Sequence, residues 1–164
     1  MVQSVVQLGG NMPGTLEKIR AFPAWITEKG FEVTEASPIY GTSPWGMEGV
    51  PDFLNQVLLI QTSTTPEVFF QTLLQYEAHC GRTRHQESGY VSRIMDVDLL
   101  LFGETILALP ELVIPHPRMH LRNFILLPLA ALSPKLIHPV LKKSMQELLL
   151  ACPDKGEVYI FEHG

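Results

Sequence analysis

Apolar residues come in short bursts along the chain, and their spacing changes character from one burst to the next. Gln3 to Leu8 is a β-branched run that stops at Gly9-Gly10, the pattern of a strand entering a turn. Asn11 then offers a helix cap, with Pro13 in the first turn. Leu16, Ile19 and Ile26 recur at near-helical spacing, while Pro23 lacks a backbone donor and predicts a bend or break in the second half of that helix. Phe31 to Tyr40 and Phe53 to Thr62 read as two strands. The segment between them, with Pro44, Trp45, Gly46, Met47, Gly49 and Pro51, is too long for a tight hairpin. A second helix follows, capped by Thr64 or Thr65, with Pro66 and Glu67 in its first turn, a stripe of Phe70, Leu73 and Leu74, and a stop at Gly81. Arg82 to Arg93 is polar and basic. Ile94 to Phe102 is an apolar strand broken only by Asp96 and Asp98.

The order βαββαβ predicts an α+β fold with a ferredoxin-like core, an antiparallel sheet with helices on one face and the other face free. Apolar runs at Phe124 to Leu132 and Met145 to Ala151 predict C-terminal additions around it. No internal repeat or Gly/Ser-rich linker divides the chain, so residues 1–164 are expected to form a single domain. A hydrophobic fraction of 46% and a charged fraction of 18% suffice for a packed core without disulfides. Cys80 and Cys152 form no CxxC pair, which suits a reducing, cytoplasmic setting. With a net charge of −5 the chain lacks the field of a nucleic-acid binder, and no stretch has the length of a membrane span. Nothing in the sequence requires an obligate protein partner.

Chemistry concentrates in three places. Side chains two apart on a strand share a face, so Asp96 and Asp98 point together, roughly 6 to 7 Å apart, while Met95, Val97, Leu99 and Leu101 are expected to enter the core. Paired hard oxygen ligands favour Mg²⁺. Arg82, Arg84 and Arg93 precede this strand, and His116, Arg118, His120 and Arg122 follow it. Such a cluster of cations beside carboxylates in an acidic protein suits a polyphosphate. GxxxxGK[ST] and GxGxxG are both absent, so side chains and metal would hold the phosphates. Finally, Phe53 and Asn55 share a strand face. A carboxamide beside an aromatic ring suits the amide-like edge of a fused pyrimidine, with Phe124 as an opposite wall. On the residues alone, three readings stay open: an enzyme of this kind, a metal-dependent nucleotidyl transferase or phosphohydrolase, and a non-catalytic binding module.

Four landmarks together resemble the 6-hydroxymethyl-7,8-dihydropterin pyrophosphokinase family. They are Thr42-Ser43-Pro44 with Phe53-Leu54-Asn55, Gly81-Arg82-Thr83-Arg84, Ser92-Arg93-Ile94-Met95-Asp96-Val97-Asp98, and Pro115-His116-Pro117-Arg118-Met119-His120-Leu121-Arg122-Asn123-Phe124. The resemblance runs from Leu8-Gly9-Gly10-Asn11 to at least Leu132. It implies transfer of the terminal diphosphate of ATP to the pterin's hydroxymethyl oxygen, in folate synthesis, with release of AMP. By the same resemblance Asp96 and Asp98 bind two Mg²⁺ ions, and Arg82, Arg84, Arg93, His116 and Arg122 surround the triphosphate, with Arg82 and Arg93 acting in the transfer. Thr42, Pro44, Phe53, Asn55 and Phe124 then bind the reduced pterin. The chain departs from the family at Gly10, at Val91-Ser92 and at His85, Glu87, Ser88 and Tyr90, which bears on loop closure rather than on reaction class. Glu77 matches a recurrent acid of the family and is expected to pair structurally with an arginine.

Overall fold

The computed structural model describes residues 1–43, 51–81 and 94–162. The chain runs β1 (Val2–Gly10), α1 (Thr15–Glu28), β2 (Glu32–Ala36), β3 (Ile39–Thr42), β4 (Phe53–Thr62), α2 (Pro66–His79) and β5 (Asp96–Phe102). It continues through a small hairpin, β6 (Leu107–Ala108) and β7 (Val113–Ile114), and a 3-10 turn at Met119–Leu121. The last elements are α3 (Asn123–Leu132), α4 (Met145–Leu150) and β8 (Val158–Glu162). Among the described residues the main sheet is antiparallel and six-stranded, ordered β5-β1-β4-β3-β8, with β2 also paired to β4. No helix among them is long and apolar enough to cross a membrane.

Strand β4 and helix α2 form where their sequence patterns put them. Thr65 caps α2 by accepting from Val68 N, Pro66 occupies the first turn, and Gly81 leaves it at φ 95°. The buried stripe of α2 is Phe69, Phe70, Leu73, Tyr76 and Glu77, turned by one position from the expected set, and Leu74 lies at its margin. Helix α1 starts later than Asn11 and Pro13 suggest. Its cap is Gly14 at φ 96°, and Asn11 is instead buried with its amide donating to Pro51 O. Pro23 sits inside α1, which runs on to Glu28, burying Ile19, Phe22 and Ile26.

The expected strand from Phe31 to Tyr40 is two strands. Pro38 has no N–H to give the ladder, and the Ser37 hydroxyl and carbonyl instead take hydrogen bonds from Val57 N and the Gln56 amide. Together β2 and β3 flank β4 as one bent strand.

Two apolar clusters sandwich the sheet. One holds Val6, Leu8, Leu58, Ile60, Val97 and Leu99 against α1 and α2. The other holds Val5, Val57, Leu59, Leu100 and Leu101 against α3 and α4. The second face is therefore not free, because Ile125, Leu126, Leu129 and Leu148 cover it. Leu101 also departs from expectation. Between Val5 and Val6 the register slips, so Val5 opposes Leu101 while Val6 opposes Leu99, and Leu100 is the extra residue. A one-residue insertion reverses the alternation. Leu101 thus joins the α3 side, whereas Met95, Val97 and Leu99 stay on the α1–α2 side.

Candidate active site

Alternation on the paired strands brings the candidate residues to one face. Asp98 lies opposite Gln7, and Asp96 opposite Gly9; Gly9 in turn lies opposite Asn55, and Asn55 opposite Tyr40. Since Val5 and Val57 belong to the α3-side cluster, Gln7, Asn55, Phe53, Asp96 and Asp98 share that side by parity. Thr42, opposite Phe53, belongs there too. Phe124 packs at the edge of the same cluster from the first turn of α3. The sheet thus joins the paired aspartates to the carboxamide and aromatic pair, although Asn55 and Asp96 are 41 positions apart in the chain.

The aspartates stand at the N-terminal end of β5, where the core begins, and both are partly buried. Two hydrogen bonds fix this end. The Thr15 hydroxyl, itself buried, donates to Ile94 O at 2.7 Å. The carboxylate of Glu77, 2% exposed, accepts from Val97 N at 2.7 Å, between the two aspartates in sequence. Glu77 therefore anchors the strand that carries them. Arg82, Arg84 and Arg93, the arginines nearest to it in sequence, lie outside the described residues.

His116 is tied to the free edge of β5, its N–H donating to Leu100 O, the carbonyl of the bulge residue, at 2.9 Å. Burial, and then the Arg122 guanidinium, hold its pKa down at about 4, with Asp96 acting in the opposite sense. His116 therefore sits in the field of both a candidate phosphate-binding arginine and a candidate metal ligand. Its Nδ1 accepts from Arg118 N at 3.2 Å, so the neutral ring carries its proton on Nε2, a donor suited to a phosphate oxygen. The Arg122 guanidinium lies 5.7 Å from the centre of the Phe124 ring, so cation and stacking surface adjoin.

Asn55 is 3% exposed and doubly held: its Oδ1 accepts from Gln7 Nε2 at 2.9 Å and its Nδ2 donates to Thr42 Oγ1 at 3.2 Å. It is thus held within the sheet rather than turned to water. Beside Asp98 and His116, a cavity of about 220 Å³ opens at the edge of β5, walled by Phe70, Leu99, Leu112 and Val113. Gln7, Tyr40 and the cavity wall are additions to the candidate set. A glutamine amid Val5, Val6 and Leu8 was a visible signal, whereas nothing in Leu107 to Val113 marks the β6–β7 hairpin as part of a site.

Of the remaining candidates, Pro44, Arg82, Arg84 and Arg93 lie outside the described residues, as do Trp45, Met47, His85, Glu87, Ser88 and Tyr90. Among the described residues, no third His, Cys, Asp or Glu joins the aspartates in a ligand cluster.

Comparison with known proteins finds a match to the family model of 7,8-dihydro-6-hydroxymethylpterin-pyrophosphokinase over residues 5–134. A protein of Pseudomonas aeruginosa named 2-amino-4-hydroxy-6-hydroxymethyldihydropteridine pyrophosphokinase is 38% identical over 95% of this chain and 96% of its own length. One of the same name from Synechocystis is 34% identical over 89% of this chain and 74% of its own. Among solved structures, an HPPK-DHPS in complex with substrates superposes with a TM-score of 0.69 at 14% identity, covering 92% of this chain and 43% of that one. Wild-type Plasmodium falciparum HPPK-DHPS gives 0.70 at 15% identity, covering 92% and 41%. The chain spans less than half the length of those solved chains, and at such identities the likeness is one of fold.

Proposed function

The chain belongs to the 7,8-dihydro-6-hydroxymethylpterin-pyrophosphokinase family, and from that premise we propose that the α3-side face of its sheet, from Asp96 and Asp98 across to Asn55, is the transfer site. The protein is a pyrophosphokinase of folate biosynthesis, with ATP as co-substrate. It transfers the terminal diphosphate of ATP to the hydroxymethyl group of 6-hydroxymethyl-7,8-dihydropterin. The hydroxymethyl oxygen bonds to the β-phosphorus of ATP, the bridge between the α- and β-phosphates breaks, and AMP leaves with the bonding electrons while the hydroxyl proton passes to water. No protein nucleophile takes part.

In this reading the residues position and neutralise rather than react. Asp96 and Asp98 are the side chains that would hold Mg²⁺, and their hard oxygens on one strand face fit it. Bound there, two such ions would offset charge on the diphosphate oxygens. His116 donates from Nε2 and Arg122 pairs with the phosphates, joined by Arg82, Arg84 and Arg93, with Arg82 and Arg93 steadying charge on the transferring and leaving groups. The cavity walled by Phe70, Leu99 and Leu112 lies against Asp98 and His116, which suits the base of the nucleotide. Thr42, Pro44, Phe53, Asn55 and Phe124 take the pterin. Holding two substrates in line on a rigid sheet is itself the main catalytic contribution.

The ferredoxin-like reading of the core is supported by the order β5-β1-β4 and the β2–β3 pair, with α1 and α2 packed on one face. Residues 1–164 acting as a single cytoplasmic domain, with no obligate protein partner, completes the proposal.

The observation that carries the pocket is the doubly held Asn55 on the face of the two aspartates. Asn55→Leu removes the polar partner of the ring edge, an expected loss of about 1 to 3 kcal/mol, or roughly one to two decades in pterin affinity. Calorimetric titration with a pterin substrate analogue, and separately with an ATP analogue plus Mg²⁺, checks this. The loss should be confined to the pterin, and Phe124→Ala should show the same preference. Equal losses for both ligands, or none for the pterin, would overturn the pocket.

A further inference from the structure

Gln7 is a buried amide, 4% exposed, set between Val5-Val6 and Leu8 on β1. By register its cross-strand neighbours are Val57 and Asp98, yet its Nε2 leans two residues along β4 to reach Asn55 Oδ1 at 2.9 Å. Gly9 lies beneath that diagonal. A Cβ at Gly9 would stand 2.8 Å from Asn55 Oδ1 and 3.3 Å from Gln7 Nε2, so any side chain there would push the two amides out of their present positions.

The arrangement bears on how Asn55 meets a ligand. A carboxamide has two N–H groups and two acceptor lone pairs, and Asn55 uses one of each, on Thr42 and on Gln7. One N–H and one lone pair remain, in directions set by the rotation of the amide plane. The torsion that sets this rotation is intrinsically broad. Thr42 cannot fix it alone, since a hydroxyl donates or accepts and tolerates either end of the amide. In the observed arrangement Gln7 turns its amide N–H to the oxygen end of Asn55, which gives the carboxamide a second fixed point.

We propose that Gln7 is a positioning residue for pterin recognition, which by donating across Gly9 to Asn55 Oδ1 orients the carboxamide toward the ring edge. This rests on the assignment of Asn55 to the pterin pocket. Gln7 does not touch the substrate; it acts through Asn55.

Gln7→Met keeps the length of the side chain and removes the donor. Pterin-analogue binding should weaken about three- to tenfold, the worth of one net hydrogen bond, and the KM for the pterin should rise with that for ATP unchanged. Titration with an ATP analogue and Mg²⁺ should match the parent protein, a selectivity that general loosening of β1 would not produce. Added to Asn55→Leu, Gln7→Met should cost nothing further. Additive losses in the double variant, equal losses for both ligands, or no loss would overturn the proposal. If Gln7→Met does not fold, Gly9→Ala attacks the same bond, and parent-like pterin affinity in that variant would equally overturn it. Should Asn55→Leu itself leave pterin affinity intact, the pocket assignment fails first; if Asn55→Leu weakens the pterin and Gln7→Met does not, only the positioning role fails.

Discussion

Thr15→Val isolates the tie between the start of α1 and the start of β5. The Thr15 side chain is 1% exposed, donates to Ile94 O at 2.7 Å and accepts from Met12 N at 3.2 Å. Valine has nearly the same shape, so no cavity opens and the change reads the hydroxyl alone. Two hydrogen bonds are lost, and a carbonyl and an N–H are left without their partner in a partly buried site, which is worth about 1 to 3 kcal/mol. For a chain of this length that corresponds to a fall in Tm of roughly 2 to 12 °C. Because Ile94 is two residues ahead of Asp96, the same change should also loosen the paired carboxylates. The Mg²⁺ concentration for half-maximal turnover should therefore rise, with pterin affinity preserved. Urea unfolding followed by a Mg²⁺ titration of turnover measures both. A stability change below about 0.5 kcal/mol, within the range of neutral surface substitutions, would show that this tie is not worth what its geometry implies. An unchanged Mg²⁺ response in a clearly destabilised variant would sever the anchor from the metal site.

Asp96→Ala and Asp98→Ala should each nearly abolish turnover while leaving the fold intact. Near-parental turnover at ordinary Mg²⁺ in either variant would refute the assignment. His138 is buried, and its Nδ1 accepts from Val140 N and Leu141 N; burial, then His120, hold its pKa below the ordinary histidine value. A depressed histidine means that the unfolded chain binds more protons below about pH 6.5. Its contribution is therefore full above that pH and is lost as pH falls toward the folded value, with His116 adding a loss of the same sign down to about 4. Urea midpoints across pH 7.5 to 5 should fall with acid, and less steeply in His138→Gln. An identical slope in parent and variant would exclude His138 as a source.

What was legible in the sequence is what local chemistry decides. Thr65, Pro66 and Gly81 mark both ends of α2 because caps and stops act within one turn. The face shared by Asp96 and Asp98 follows from strand parity alone. The bulge at Leu100 was not legible: it is fixed by which residues of β1 and β5 meet, and Leu99-Leu100-Leu101 is apolar on either side. The second face of the sheet was misjudged for a related reason, since the cover of α3 and α4 is a property of packing between segments far apart. The late start of α1 depends on Gly14 adopting a left-handed turn that Asn11 and Pro13 do not announce. Asn55 was singled out for its chemistry, but its link to Gln7 needs the register of β1 on β4, which no spacing within either strand reveals.

Strand β8 gives the chain a particular order of assembly. It pairs with β3, matching Thr42 to Val158, and Tyr159 reaches across to Asp52 at 2.6 Å. The outer partner of the strand that carries Thr42 is thus translated more than a hundred residues after that strand. At roughly 5 to 20 residues per second of synthesis, β3 waits on the order of ten seconds on the ribosome with an unpaired edge beside the nascent pterin wall. During that interval β1, β4 and β5 can already be paired, so the half of the site built around the aspartates can be in place while the half that receives the pterin still lacks its border.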